Sequence, residues 1–195
     1  METLLGWDRA ITEFLYYQDA GLGLQRLIFS AASLFIYVIP AVLLVMFWRS
    51  QRDRIVALKI LVAVGLAWKV LSNLTGQLLY DGFGFRDRPF AAGGFPELFF
   101  ERPEKAFPSD HAAVIAVMVL GLFVYRYPKM GWVFLVLGGI SSLSRVIIGF
   151  HWFGDVIGGW LIGALAVGVI WLFDRPLTNF FEWLIRKLSR SYGKR

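Results

Sequence analysis

Residues 156–173 read VIGGWLIGALAVGVIWLF, a run with no charge and no proline. A helix needs about 20 mostly apolar residues to cross roughly 30 Å of hydrocarbon, and this run, with the residues just before it, has that length. Three other regions repeat the pattern: Leu27–Trp48, Ile60–Trp68 resuming at Val70–Tyr80, and Met130–Ser144. A shorter run, Ala112–Tyr125, reaches spanning length if its helix starts near Pro108. The expected fold is an all-α integral membrane protein forming one domain over residues 1–195. Its core is a bundle of five transmembrane helices near 24–48, 55–80, 108–127, 130–149 and 153–173. Within the last of these, Gly159-x-x-x-Gly163 is a small-residue spacing that lets two helices approach closely.

Composition points the same way. The chain is 57% hydrophobic, only 17% charged, and has a mean hydropathy of +0.61, whereas a soluble domain is about 25% charged. Eight Trp and 18 Phe suit the aromatic belts of a bilayer protein. The absence of Cys excludes disulfide frameworks, thiolate metal sites and cysteine nucleophiles. At the N-terminus, Leu4, Trp7, Ile11 and Phe14 recur at helical spacing with charges opposite. Residues 1–20 are therefore expected to form an amphipathic helix, lying in the interface or packed on the bundle. With Glu2, Asp8 and Glu13 and no basic n-region, this stretch does not read as a signal peptide.

The net charge of +6 invites a polyanion partner until it is placed on the chain. Residues 49–59 carry Arg49, Arg52, Arg54 and Lys59 against Asp53; the turn 126–129 carries Arg126 and Lys129; the basic tail 174–195 carries six Lys and Arg against Asp174 and Glu182. With five spans these segments share one side, which the positive-inside rule makes cytoplasmic. Residues 1–26 and 81–111, each of net charge −2, face outward. The tail can also be read as a nucleic-acid or anionic-lipid patch, but orientation accounts for it, and no nucleic-acid partner is expected.

Three groups of polar residues fall on the outer side. The connection 81–107 carries Arg86-Asp87-Arg88-Pro89, whose arginines can fork around a phosphate or belong to a solvated charged loop. Pro108-Ser109-Asp110-His111 opens the third span, where free backbone N–H groups and the helix dipole hold anions. Ser109 adds a hydroxyl and His111 a proton source; an ordinary N-cap is the alternative. The third group is Ser144-Arg145, then His151, then Asp155. His151 and Asp155 are four apart and share a face on a helical turn. A carboxylate on one ring nitrogen fixes the tautomer and leaves the other nitrogen to attack. Arg145 at the hydrocarbon boundary must face the bundle or a ligand. The chain has two histidines, and each belongs to one of these groups. Arginine clamps, a nucleophile with its orienter and a general acid make up an inventory for phosphoryl transfer through a phosphohistidine. A two-histidine metal site would leave the arginines unexplained, so no metal and no cofactor are expected.

At these residues the chain resembles the type 2 phosphatidic acid phosphatase (PAP2) superfamily, whose signature is K-x6-RP, PSGH and SR-x5-H-x3-D. The third part is complete in Ser144, Arg145, His151 and Asp155. The second is Pro108-Ser109-Asp110-His111, with Asp110 in place of Gly. The first keeps Arg88-Pro89 but has Asp81 at the Lys position. The resemblance implies a metal-independent phosphatase in which His151 attacks phosphorus, Asp155 orients it and His111 protonates the leaving oxygen. Arg88, Ser109 and Arg145 would hold the phosphoryl oxygens, with Arg86 supplying the charge that Asp81 lacks. Lys69, about 16 Å down a helix from Tyr80, is expected to be a buried bundle charge. The PSDH variant and compact span set look most like the bacterial BcrC-type undecaprenyl diphosphate phosphatases. These act on a lipid diphosphate at the outer face of the bacterial cytoplasmic membrane during cell-wall synthesis. Phosphatidylglycerophosphate, phosphatidic acid and a lipid A phosphate are alternative substrates, and a non-hydrolytic anion or lipid transporter is an alternative of another class.

Overall fold

The computed structural model describes residues 2–16, 22–83, 88–89 and 105–192. Every regular element among them is helical: α1 (Glu2–Leu15), α2 (Leu22–Leu34), α3 (Val38–Arg49), α4 (Gln51–Gly65), α5 (Ser72–Phe83), α6 (Asp110–Val124), α7 (Pro128–Ile147), α8 (Phe153–Leu172) and α9 (Asp174–Tyr192). α2 and α3 are joined through a 3-10 turn at Phe35–Tyr37, and α4 and α5 through a π-helical segment at Leu66–Leu71. Pro40, which has no N–H to donate, follows the first of these irregular turns. Four of the resulting helices are long and apolar enough to cross a membrane: Gly23–Arg49, Gln51–Leu79, Pro128–Ile147 and Phe153–Leu172. They match four of the expected spans to within a few residues.

The fifth expected span, 108–127, is shorter than the sequence suggests. α6 has 15 residues, about 22 Å at 1.5 Å per residue, less than the hydrocarbon thickness. It is also the most enclosed helix, with Ala112, Ala113, Ile115, Ala116, Val117, Met118, Val119 and Leu122 all buried. A helix apolar all round belongs in a protein core, and α6 packs chiefly against α8 and α7. Its contact with α8 depends on the two glycines singled out above. A Cβ on Gly159 would lie 2.4 Å from the Ser109 carbonyl oxygen, and one on Gly163 would lie 2.6 Å from the Ala113 carbonyl oxygen. Leu44, Val45, Trp48, Trp132, Leu161 and Leu172 point outward and are more than half exposed, a surface suited to lipid rather than water.

The basic end of the bundle is tied together by polar contacts. Ser50 caps α4 by accepting from the Asp53 N–H at 3.1 Å, and the Tyr127 hydroxyl donates to Asp53. The buried Lys59 reaches Asp174 and Thr178 at 2.5 and 2.7 Å. The basic tail proves to be a helix, α9: Leu177, Phe180, Phe181 and Trp183 interrupt its charges at helical spacing. Lys69 corrects a sequence expectation. It is exposed, with Nζ 3.7 Å from the ring centroid of Trp68, because its register turns it off the bundle and its ammonium lies over an aromatic face.

The N-terminal helix combines the two expectations for it. Trp7 and Phe14 remain exposed, while the opposite face docks on α8. Asp8 Oδ1 accepts from the Gly154 N–H at 2.7 Å and Thr12 Oγ1 from the Phe153 N–H at 3.0 Å. α1 therefore caps the first amides of α8 from outside that helix, and such orphan donors are normally satisfied by a local side chain.

Candidate active site

Opposite the basic end, the start of α6, the end of α7 and the α7–α8 connection converge. A backbone bond sets their spacing: the Ser109 N–H donates to the Asp155 carbonyl oxygen at 3.0 Å, next to the Gly159 contact. Ser109, His111, Arg145, His151 and Asp155 are all buried there. Arg145 is only 1% exposed, so it faces the bundle, as its cost in hydrocarbon demands.

Phe150 is the platform on which the arginines meet. The Arg145 guanidinium carbon lies 5.1 Å and that of Arg88 5.6 Å from the centroid of this one buried ring. Two cations on one aromatic ring repel each other, and an anion between them relieves that repulsion. Arg145 also donates to the Ala32 carbonyl oxygen at 3.3 Å, which fixes its far side to α2.

His151 departs from the expected picture in one respect. Its Nδ1 lies 2.9 Å from the Ala106 carbonyl oxygen, whereas Asp155 Oδ2 is 3.6 Å away. The Asp155 carboxylate instead accepts from the Trp152 N–H at 2.9 Å, shaping the turn that presents the histidine. A carbonyl can only accept, so Nδ1 carries the proton and Nε2 has a lone pair. That lone pair is 3.4 Å from Arg145 Nη2, on the side where the arginines lie. Burial first, and then the charges of Arg145 and Arg88, push the His151 pKa well below its usual value. The ring is therefore neutral near pH 7 and suited to nucleophilic attack.

The Ser109 hydroxyl is fully buried and has no hydrogen-bond partner among the described residues. Such an orphan costs free energy, and an anion's oxygen at this helix start would satisfy it. His111 follows in the first turn of α6, near the charges of Arg145, His151 and Arg88. It lies at one end of an apolar groove of about 500 Å³ between α3, α4 and α6. Ile39, Leu43, Phe47, Leu61 and Trp68 line the groove, and Asp110 and His111 are its titratable side chains. His151 and Arg145 are not in its lining.

The structure thus brings together Arg88, Ser109, His111, Arg145, His151 and Asp155. Arg86 lies outside the described residues, as does the side chain of Asp81, so their expected exchange of charge is not seen. Sequence reasoning missed Phe150, the Ala106 carbonyl and the groove. Phe150 adjoins His151, but nothing marks a single aromatic among 18 Phe, and a backbone carbonyl leaves no trace in residue type. Lys105 was passed over within a charged run. It pairs with Asp110 at 2.9 Å.

With this geometry in hand, comparison with known proteins is informative. The description of the PAP2 superfamily fits residues 58–178. Undecaprenyl-diphosphatase BcrC of Bacillus subtilis (strain 168) is 29% identical over 136 residues, covering 65% of this chain and 66% of that protein. A Bacillus licheniformis protein named bacitracin transport permease protein BcrC is 28% identical over 195 residues, covering 94% of this chain and 93% of its own. Among solved structures, a transmembrane PAP2-type phosphatidylglycerolphosphate phosphatase from Bacillus subtilis superposes with a TM-score of 0.61. That match has 23% identity and covers 90% of this chain and 88% of the other, a likeness of fold.

Proposed function

We propose, from the premise that this chain belongs to the PAP2 superfamily and is a membrane phosphate hydrolase, that its substrate is undecaprenyl diphosphate. The products are undecaprenyl phosphate and inorganic phosphate. One observation carries the lipid part of this reading: the two histidines have different surroundings. His151 faces the arginines, while His111 ends an apolar groove. The leaving group protonated at His111 is thereby matched to a hydrocarbon chain, and the transferred phosphoryl group to a pocket of cations.

In the proposed reaction, His151 Nε2 attacks the terminal phosphorus while Ala106 holds the Nδ1 proton. The P–O bond to the lipid phosphate breaks, and His111 gives its proton to the departing oxygen. Arg88, Arg145 and the Ser109 hydroxyl hold the phosphoryl oxygens, whose charge grows during transfer. Water then attacks the phosphohistidine, with His111 taking its proton, and phosphate leaves from restored His151. Asp155 sets the Trp152–Asp155 turn and adds its charge to the imidazolium side. Arg86 is proposed as a further cation for the diphosphate. The relative named undecaprenyl-diphosphatase supports this choice of lipid.

Five crossings are proposed, with the enclosed α6 as the fifth. The basic end then lies in the cytoplasm and the active site at the outer face of a bacterial cytoplasmic membrane. A transporter would leave the fixed tautomer of His151 without a use. Phosphate release by detergent-solubilised protein, compared on undecaprenyl diphosphate and phosphatidic acid, tests the reading. The expected result is faster turnover of the diphosphate and none in His151→Ala. Faster turnover of phosphatidic acid would reassign the substrate, and full activity in His151→Ala would remove the mechanism.

A further inference from the structure

Asp110 creates a problem that the reaction above does not address. It is a partly buried carboxylate, its side chain 11% exposed, in the first turn of α6, between Ser109 and His111, where a phosphate is to bind. There it interacts favourably with the helix dipole, but it stands at the positive helix end that an anion would use. Left uncompensated it would repel the substrate. Lys105 and Ser72 enclose it. Lys105 Nζ donates to Asp110 Oδ1 at 2.9 Å and to Ser72 Oγ at 2.5 Å, and Ser72 donates to the same carboxylate oxygen. The three residues come from the start of α5, the segment before α6 and α6 itself, and all are at least nine-tenths buried or close to it. A buried ion pair is a poor source of stability, since desolvation offsets much of its attraction. Its position is the more telling feature. The residue after Lys105 is Ala106, whose carbonyl receives the His151 Nδ1 proton.

We propose that Lys105 is a positioning residue of this phosphatase: with Ser72 it neutralises Asp110 at the rim of the anion pocket and anchors the Ala106 carbonyl against His151. This rests on the phosphatase reading above and adds a residue to it. The two roles separate experimentally. Removing the Lys105 charge takes away the cation that faces Asp110 and weakens anion binding, and removing the Asp110 charge as well restores it; a purely structural ion pair would lose and recover the thermal midpoint in the same variants but leave the phosphate affinity of the folded protein unchanged.

The test uses the full chain in detergent, with Lys105→Met, Asp110→Asn and the double variant. Lys105→Met should raise KM for the lipid diphosphate about tenfold or more, the scale of one nearby charge at an effective dielectric constant of about 20. The double variant should return KM to within about threefold of wild type, while kcat stays reduced because the Ala106 anchor is still missing. Binding of inorganic phosphate, followed by titration calorimetry, gives a readout independent of turnover and should show the same loss and recovery. If Lys105→Met does not fold, Lys105→Gln, which keeps a donor for Ser72, replaces it in the same comparison. A wild-type KM and phosphate affinity in the single variant would overturn the proposal, as would a double variant no better than the single. If wild type bound phosphate but hydrolysed no lipid phosphate, the phosphatase reading would fall, while the calorimetric comparison would still decide the role of Lys105.

Discussion

Gly159→Ala is a severe perturbation for a single methyl group. The added Cβ would lie 2.4 Å from the Ser109 carbonyl oxygen, 2.8 Å from Ala112 Cβ and 3.0 Å from the Ala113 nitrogen. Backbone atoms cannot swing aside as a flexible side chain can, so α6 and α8 must part by about 1 Å to restore ordinary contact. Overpacking of this kind costs roughly 1–3 kcal/mol of stability. The same displacement stretches the Ser109–Asp155 backbone bond and moves Ser109 and His111 away from His151. A misplacement of about 1 Å at reacting groups costs on the order of 100-fold in rate. Two other glycines of α8 serve as controls. Gly163→Ala meets the Ala113 carbonyl oxygen and Ala116 Cβ, each at 2.6 Å, about 6 Å further along the helix. Gly168→Ala meets nothing within 4 Å and gains up to about 1 kcal/mol of helix propensity. Phosphate release and the thermal midpoint in detergent are measured for all three. Gly159→Ala should lose both stability and about 100-fold in kcat. Gly163→Ala should lose similar stability but less rate, and Gly168→Ala should match or exceed wild type. Equal rate losses at Gly159 and Gly163, or none at Gly159, would refute the claim that this contact sets the geometry of the site.

Other expectations follow from particular residues. Because the native pKa of His151 is depressed, its neutral, attacking form persists below the usual 6.5, and the acid limb of kcat/KM should fall below that pH. The unfolded chain binds that proton more readily than the native one, so folding stability should decline as pH drops from about 6.5 towards the lowered value; melting curves across that range check the sign. EDTA should leave phosphate release intact, and its abolition by a chelator would point to a metal-dependent reaction instead. Asp174→Asn should lower the thermal midpoint by breaking the contact with buried Lys59, by about 1–3 kcal/mol given that Asp174 is partly exposed, while kcat stays near wild type. Asp8→Ala removes a cap on α8 and should cost about 0.5–2 kcal/mol, with a fall in turnover because the capped amides lie next to the His151 turn.

Much of this architecture was legible in the sequence because bilayer proteins announce themselves by long apolar runs and by the placement of Lys and Arg. Gly159 and Gly163 were readable for a related reason, since small residues four apart imply a close neighbour, although only the structure shows that the neighbour is α6. Where the structure corrects the reading or adds to it, the determinant is three-dimensional. Lys69 sits in an apolar run that suggested burial, and one register position turned it outward. α6 has the composition of a spanning helix, but composition does not tell how much of such a helix faces lipid and how much faces a sheath of other helices. Lys105 stands in the charged connection 81–107, and one of its partners, Ser72, is 33 residues away. Asp155, expected from its four-residue spacing to orient His151, lies 3.6 Å from Nδ1, and the Ala106 carbonyl that comes nearer is not revealed by any residue type.

The groove ending at His111 has a consequence for how the reaction is counted. Its lining residues Pro40, Leu44 and Leu61 are exposed on the apolar flank of the bundle, so the lipid chain of the proposed substrate would enter sideways from the hydrocarbon phase. Enzyme and substrate then meet by diffusion within a sheet, and moles per litre of solution do not describe their encounter. The governing quantity is the mole fraction of substrate among the amphiphiles around the protein. Adding detergent at fixed substrate should slow the reaction, and diluting the whole sample with buffer should barely change the rate per enzyme as long as micelles persist.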